Sequence, residues 1–363
     1  MAKIGIIGSG NFGTALAHVC SERNNVHIYS IDSKAIENIT NHGENKEFLP
    51  GIKLRNTISI SSDMSDLQDA ELIIFAVPST VYRSVARELK PHYNGQPLIS
   101  LGKGITDSGG VLTDVIIDEL KCADKNVLAL SGPSIAGELA QGKPTQVILG
   151  GNRFVTQQAR QLLVSDHFFI RCSRDREGIQ LLGFYKNIVA MLVGLCDGLK
   201  LGNNFKSALV TKAYSEFYYL NQNNRIRRHS FIDYAGLGDL YVTSTSDDSR
   251  NRTFGVYLAT HTSLDDIRKK IGQVIEGYDN LLRLDAIDSH EWFDRNLVKT
   301  LLKIVDAESV AEKRELLMRY LKACEVKAII FDWGKVLTKD YYSFHVAKNI
   351  ASAHGGDPHE IMD

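Results

Sequence analysis

Short apolar runs alternate with amphipathic stretches over the first half of the chain. The runs are rich in Ile, Val and Leu, and glycine, proline and small polar residues separate them. We predict strands at 3–8, 26–30, 72–77, 98–101, 127–131, 146–150 and 168–171. Strands that alternate with helical patterns are typical of βαβ units, in which helices cover both faces of a mostly parallel sheet. The first half is therefore predicted to be a doubly wound α/β domain.

The strand pattern fades near Arg174, and long helical patterns follow it. The clearest are at 178–199, 207–221, 264–271 and 311–323. We predict three parts, namely a sheet domain over 1–174, an all-helical domain over 175–325 and a short strand–helix tail over 326–363.

Lys186 is the only charged residue in the apolar stretch 178–196. Burial disfavours the ammonium form of a lysine and can bring its pKa into the range where it exchanges protons with a substrate. The alternative is a stem that lies along a core helix while its head reaches water. Because Gln180, Lys186 and Asn187 interrupt the stretch, we predict a buried helix and no membrane span.

The first predicted strand ends in a glycine-rich turn, GSGNFG at 8–13, and a helical pattern follows. Gly8 permits the tight turn, Gly10 lets the backbone approach a pyrophosphate, and Gly13 lets the helix pack closely on the strand. A strand before and a helix after are the context that this motif requires. The sequence predicts a Rossmann-type dinucleotide site, and the alternative is a turn that binds no ligand.

Asp32 follows the second predicted strand, nineteen residues beyond Gly13. A carboxylate there accepts hydrogen bonds from the ribose hydroxyls and repels a 2′-phosphate, so NAD is favoured over NADP. A cap of the next helix is the alternative for Asp32.

Three further loops of small residues follow predicted strands, at 76–79 (AVPS), 101–104 (LGKG) and 131–134 (SGPS). Ligands of open α/β sheets bind outside the carboxyl ends of the strands. We therefore expect these loops, one of which carries Lys103, to meet at a ligand crevice.

The composition excludes several function classes. Lys plus Arg (42) nearly balance Asp plus Glu (43), which gives no indication of nucleic acid or an anionic membrane. Five cysteines without a CxxC pair or a metal-ligand spacing indicate reduced thiols and no metal site. The opening strand leaves no room for a signal peptide, so we predict a cytoplasmic protein with a small-molecule substrate.

Nine ordered motifs extend these patterns over residues 1 to about 290. They are GSGNFGTALA (8–17), NKEFLPG (45–51), AVPS (76–79), KGI (103–105), SGPSIAGE (131–138), YKNIVA (185–190), CDGLKLGNN (196–204), GLGDLYVTSTSDDSRNRTFG (236–255) and VIEG (274–277). In this set the chain resembles the NAD(P)-dependent glycerol-3-phosphate dehydrogenases. The resemblance implies a Rossmann-type domain before a helical substrate domain, a homodimer, and reversible reduction of dihydroxyacetone phosphate to sn-glycerol 3-phosphate.

The resemblance also implies residue roles. Lys186 would donate and accept the proton, Asp239 would orient Lys186 and a substrate hydroxyl, and Lys103 would hydrogen-bond the substrate oxygens. The implied substrate-binding residues are Lys103, Gly132, Ser134, Lys186, Asp239, Ser249, Arg250 and Asn251. The implied cofactor-binding residues are Gly8, Gly10, Asn11, Phe12, Gly13, Asp32, Pro78, Lys103, Ala136, Arg250 and Glu276.

The triplet 249–251 (SRN) suits a phosphate, because the planar guanidinium of Arg250 donates two parallel hydrogen bonds. Taken alone, the triplet is a helix start with Ser249 as its N-cap. Two cations near Lys186, Lys103 and Arg250, would lower its pKa, and Asp239 would partly restore it.

The chain departs from the family in places. Phe12 replaces a frequent tryptophan, and Ile31 and Asp32 stand where NADP-using members carry arginines, which favours NAD. The tail resembles the first motif of haloacid-dehalogenase-like phosphatases, with Asp332 as the nucleophile, but is too short for that domain. Alternative functions are reduction of another small phosphorylated ketone and a non-catalytic dinucleotide sensor.

Overall fold

A computed structural model describes residues 1–221, 225–260, 263–272, 274–287, 293 and 295–323. The predicted phosphatase-like tail, with Asp332, lies outside the described residues. One eight-stranded sheet spans the first half, in the order β3-β2-β1-β4-β5-β6-β7-β8. Its strands are β1 (Lys3–Ile7), β2 (Asn25–Tyr29), β3 (Ile58–Ser61), β4 (Leu72–Phe75), β5 (Leu98–Ser100), β6 (Val127–Ser131), β7 (Thr145–Gly150) and β8 (Phe168–Ser173).

The strand pairing confirms the mostly parallel sheet. The pair β6–β7 is antiparallel, and the other six pairs are parallel. Each predicted strand is present within a few residues of its expected bounds, but β3 was missed. Its sequence, ISIS, is short, and none of its side chains is fully buried, so it lacks the apolar run of a central strand.

Helices cover both faces of the sheet, as predicted. One apolar cluster joins the sheet to α1, α2, α5 and α6, and a second joins the opposite face to α3 and α4. These helices are α1 (Asn11–Cys20), α2 (Ser33–His42), α3 (Tyr82–Leu89), α4 (Leu112–Leu120), α5 (Ala136–Ala140) and α6 (Arg153–Leu163). The order of strands β1 to β6 is that of dinucleotide-binding folds, in which β1 and β4 flank the point where the strand order reverses.

The described residues after β8 form helices around one central apolar helix, α7. They are α7 (Arg176–Gly198), α8 (Asn203–Leu220), α9 (Arg228–Phe231), α10 (Asp239–Thr245), α11 (Arg250–Thr260), α12 (Leu264–Ile271), α13 (Glu276–Ala286), α14 (Arg295–Asp306) and α15 (Val310–Lys322). The four predicted helices are confirmed as α7, α8, α12 and α15. Among the described residues, α7 alone has the length and apolarity of a membrane span, and its apolar window is wholly buried inside the protein.

Two glycines let α7 and α11 touch through their backbones. A Cβ on Gly194 would lie 1.9 Å from the Arg252 carbonyl oxygen, and one on Gly255 would lie 2.1 Å from the Met191 carbonyl oxygen. Because neither backbone can move aside, only glycine fits at this crossing. The contact fixes the start of α11, and therefore the predicted phosphate triplet, beside the helix that carries Lys186.

Candidate functional site

Three charged side chains from three separate segments meet between the sheet and the helices. Lys186, on α7, is 7% exposed, and its Nζ donates to Asp239 Oδ1 and, at 2.7 Å, to Thr243 Oγ1. Lys103, in the loop after β5, donates from Nζ to Asp239 Oδ2 at 2.9 Å. Asp239 is 1% exposed, so one buried carboxylate holds both lysines.

The cluster changes the proton affinity of each member. Burial is the main cause that lowers the pKa of Lys186 to about 7; Asp239 opposes that shift, and the Lys103 ammonium adds to it. Burial alone would raise the pKa of Asp239, but the two lysines outweigh it and lower the pKa. For Lys103, burial acts to lower the pKa, yet Asp239 prevails and raises it. Lys186 is thus the member able to exchange a proton near neutrality.

Local geometry fixes the position of Asp239. It is the first residue of α10 and follows a π-helical turn, Tyr234–Gly238. Ser131, at the end of β6, donates from Oγ to Asp239 Oδ2 at 3.3 Å. A Cβ on Gly183 of α7 would lie 2.9 Å from that Ser131 Oγ, so the helix approaches the strand end closely. Ser131 and Thr243 lie in the motifs at 131–138 and 236–255, but no role was predicted for either residue from the sequence.

The glycine-rich turn has the geometry that the sequence predicts. Gly8 has φ +112°, and its Cβ would lie 2.6 Å from the Ala76 carbonyl oxygen. A Cβ on Gly13 would lie 2.3 Å from the Gly8 carbonyl oxygen, whereas one on Gly10 would meet nothing within 4 Å. Gly10 is the N-cap of α1 and offers no side chain to the first amides of the helix. The turn therefore fits a dinucleotide pyrophosphate, which helix N-termini bind through free amides.

Asn45 supports this turn through hydrogen bonds, a role that was not predicted from the sequence. It is fully buried, and its Nδ2 donates to the Ser9 carbonyl oxygen at 2.8 Å and to Thr14 Oγ1 at 2.9 Å. Ser9 Oγ and Ser30 Oγ lie 2.7 Å apart, which ties the turn to the end of β2. Asn45 is the first residue of the NKEFLPG motif, and that motif is the sequence feature that could have indicated its role.

Asp32 caps α2, which is the alternative that the sequence left open. Its Oδ1 accepts from the backbone amides of Lys34 at 2.9 Å and Ala35 at 3.2 Å. Neither bond uses Oδ2. Capping and contact with a ribose are therefore compatible roles for this carboxylate.

The predicted phosphate triplet lies at the start of α11. Ser249 Oγ accepts from the Arg252 amide at 3.3 Å, which confirms the expected helix start. Arg250 is exposed, and the buried Asn251 accepts from the Gly277 amide at 2.8 Å through Oδ1. Glu276, predicted on the cofactor side, accepts from Asn187 Nδ2 at 3.3 Å, next to Lys186 in the sequence.

The other predicted residues occupy loops and helix ends near the carboxyl edge of the sheet. Gly132 follows β6 with φ +138°, and its Cβ would lie 3.0 Å from Val147 Cα. Ser134 Oγ donates back to the Gly132 carbonyl oxygen at 3.0 Å. Pro78 follows β4, Ala136 begins α5, and Asn11 and Phe12 begin α1.

Comparison with known proteins gives the same assignment along most of the chain. Two family models match, the NAD-dependent glycerol-3-phosphate dehydrogenase N-terminus over residues 3–156 and the corresponding C-terminus over residues 175–314. The predicted tail over 326–363 lies beyond both matches.

Curated relatives and solved structures agree with the family models. The glycerol-3-phosphate dehydrogenase (NAD(P)+) of Carboxydothermus hydrogenoformans is 33% identical over 280 residues, 76% of this chain and 83% of the relative. That of Fusobacterium nucleatum is 35% identical over 282 residues, 76% of this chain and 84% of the relative. The crystal structure of the Coxiella burnetii glycerol-3-phosphate dehydrogenase has a TM-score of 0.83 and 29% identity, and covers 89% of this chain and 99% of its own. The chain therefore belongs to the NAD-dependent glycerol-3-phosphate dehydrogenase family.

Proposed function

We propose that this oxidoreductase reversibly reduces dihydroxyacetone phosphate to sn-glycerol 3-phosphate with NADH, and that Lys186 transfers the proton. The observation that carries the proposal is the buried contact of Lys186 with Asp239, which Lys103 shares. Reduction of a ketone needs a hydride at the carbonyl carbon and a proton at its oxygen. When bound, the nicotinamide supplies the hydride.

The chain supplies the remaining steps. Lys186 Nζ passes a proton to the carbonyl oxygen as the carbon–oxygen double bond becomes a C–O single bond, and takes it back in the reverse direction. Lys103 stays cationic against Asp239 and binds the substrate oxygens. Ser249, Arg250 and Asn251 hold the phosphate, with Gly132 and Ser134 beside the three-carbon chain.

The pH dependence of the two directions tests this assignment. Reduction needs the ammonium form of Lys186, so we expect kcat/KM for dihydroxyacetone phosphate to fall as the pH rises above about 7. Oxidation of glycerol 3-phosphate needs the neutral amine, so its kcat/KM should fall as the pH drops below about 7. Initial rates with NADH and NAD⁺ across the pH range measure both. Profiles that fall on the same side of neutrality, or no turnover with this ketone, would contradict the proposal.

A pair of glycine variants tests the cofactor turn. Gly10→Ala should change the free energy of unfolding by less than about 0.5 kcal/mol, because the new Cβ has no neighbour. It should raise the Kd of NADH about 10-fold or more, since the pyrophosphate needs that space. Gly13→Ala should instead destabilise the fold by about 1–3 kcal/mol, because its Cβ strikes the Gly8 carbonyl. Urea unfolding measures the change in stability, and NADH fluorescence titration measures the change in binding. Unchanged NADH binding by Gly10→Ala would refute the proposed cofactor site.

The preference for NAD over NADP is part of the proposal and depends on Asp32. Asparagine also caps helices, so Asp32→Asn should keep the cap of α2 while it removes the charge that repels a 2′-phosphate. We expect the ratio of kcat/KM for NADPH to that for NADH to rise about 10-fold. Asp63→Asn is the control, because the Asp63 side chain also accepts a backbone amide as the N-cap of a short helix. An unchanged ratio in Asp32→Asn would remove the basis for NAD preference.

We also propose that residues 1–174 form the dinucleotide-binding domain and 175–325 the substrate domain of a cytoplasmic homodimer. The change from sheet to helices between β8 and α7 supports the division. Sedimentation velocity of the purified protein tests the dimer, and a single species of monomer mass at micromolar concentration would contradict it.

A further inference from the structure

The loop that carries Lys103 has few anchors within its own domain. Between β5 and the bridge at Ile105 it has no regular secondary structure. On the sheet side, the Leu101 amide donates to the Phe75 carbonyl oxygen at 3.1 Å and the Gly102 amide to Tyr82 Oη at 2.7 Å. Both of these bonds precede Lys103, and after Lys103 the bridge of Ile105 to Val111 joins the loop to the same half of the chain.

Helix α13, from the helical half of the chain, holds the same loop from the other side. Asn280 Nδ2 donates to the Lys103 carbonyl oxygen at 2.9 Å, and Arg283 Nη1 donates to the Ile105 carbonyl oxygen at 2.7 Å. The two residues are three apart, so they lie on one face of α13. The two accepting carbonyls belong to the residues on either side of Gly104. A Cβ on Gly104 would lie 2.5 Å from Ser79 Cβ, so the backbone at this position is closely packed.

Asn280 is 1% exposed, although its helix lies at the edge of the site. A buried amide that donates to a backbone carbonyl is costly to remove, because the carbonyl then lacks a partner. We propose that Asn280 and Arg283 are positioning residues, which hold the Lys103 backbone from α13 so that the Lys103 ammonium stays against Asp239. This proposal extends the proposed function and rests on it.

The consequence for catalysis follows from the shared carboxylate. Lys103 and Lys186 each donate to one of the two carboxylate oxygens of Asp239. Among the described residues, Asp239 and Lys103 are the charged side chains that face Lys186. Glu276, on the first turn of α13, also faces Lys103. If the loop moves, Lys103 leaves Asp239, a cation that lowers the pKa of Lys186 is withdrawn, and Asp239 is free to pair with Lys186 alone. The pKa of Lys186 should then rise.

The test compares two buried asparagines. Asn280→Ala should lower kcat/KM for dihydroxyacetone phosphate about 10-fold, because small displacements of a binding group slow catalysis. The descending limb of its pH profile should move to higher pH. Asn221→Ala is the matched control: Asn221 is 8% exposed, and its Nδ2 donates at 2.6 Å to the carbonyl oxygen of Ile226, which lies within its own segment and not in residues 98–105. It should lose stability and keep the wild-type profile. An Asn280→Ala variant that keeps the wild-type kcat/KM and profile overturns the proposal.

A double-mutant cycle decides whether Asn280 acts through Lys103. In a Lys103→Met background, Asn280→Ala should reduce kcat/KM by less than about twofold further, because the group that it positions is gone. A full, additive loss would overturn the assignment. Arg283→Met, at a less buried position, provides the second variant should Asn280→Ala fail to fold, and it should move the pH limb in the same direction.

Amide hydrogen exchange separates failure of this inference from failure of the proposed function. Peptides that cover 98–105 should exchange faster in Asn280→Ala than in the wild type and in Asn221→Ala, whether or not the protein turns over this ketone. Unchanged exchange there overturns the positioning role. A wild type without turnover but with faster exchange in Asn280→Ala would overturn only the assigned reaction.

Discussion

Replacing Lys186 with methionine is expected to lower kcat for the reduction of dihydroxyacetone phosphate about 10³-fold, within the range that a general acid contributes. Methionine keeps the apolar stem in the packed α7 and removes the group that Asp239 and Thr243 hold. The Kd of NADH should change less than about twofold, because the glycine-rich turn is untouched. Steady-state rates and NADH fluorescence titration measure the two quantities separately.

Lys313→Met is the matched control for this variant. Lys313 is also buried, at 1% exposure in α15, and its Nζ donates to the Leu258 carbonyl oxygen at 2.8 Å. Burial lowers the pKa of Lys313 as well, so desolvation shifts the pKa of both lysines in the same direction. We expect Lys313→Met to alter stability and leave kcat within about threefold of the wild type. Equal losses of kcat in both variants would show that any buried lysine matters for the fold, and the proton-transfer role would fail.

The sheet could be predicted from the sequence because buried parallel strands are continuous apolar runs. The runs at β1, β4 and β6 contain almost no polar residues and end at glycine, proline or serine. Edge strand β3 breaks this rule, since two of its four residues are serines. Its pairing with β2 depends on contacts between residues that are far apart in the sequence, which a local hydrophobic pattern does not indicate.

The site was predictable only in part. Asp239 is 53 residues from Lys186 and 136 from Lys103, and no local pattern indicates that these three meet. A shared site for these three residues was predicted only because the ordered motifs resemble those of a known family. Thr243 lies four residues after Asp239, which places both residues on one face of α10. This spacing could have indicated that Thr243 also contacts the site. Asn280 is an ordinary polar residue of an amphipathic helix, and only the fold shows that it contacts the Lys103 loop.

Replacing Asp239 with asparagine should give the largest loss of stability among the site variants. It leaves the buried Lys186 and the partly buried Lys103 without their shared carboxylate, and the removal of one partner from a buried ion pair costs about 3–5 kcal/mol. Asp175→Asn is the control, because Asp175 is 5% exposed and accepts from the Gly178 and Arg227 amides and from Ser230 Oγ. That variant should be destabilised without a change in the pH profile of turnover.

The sign of the pH effects distinguishes loss of the ion pair from loss of packing in Asp239→Asn. Asp239 opposes the lowering of the Lys186 pKa, so its removal should bring that pKa below about 7 and move the descending limb of reduction to lower pH. The unfolded chain then binds more protons than the folded variant between this lowered pKa and the usual lysine value of about 10.4. The free energy of unfolding of the variant should therefore rise with pH across this window. The wild type gains stability in the same way above its own Lys186 pKa of about 7, so the deficit of the variant against the wild type should narrow mainly between the lowered pKa and about pH 7. Urea unfolding near about pH 5 and pH 7 measures the change in the deficit. A deficit that is constant with pH would mean that the carboxylate does not balance the two lysines.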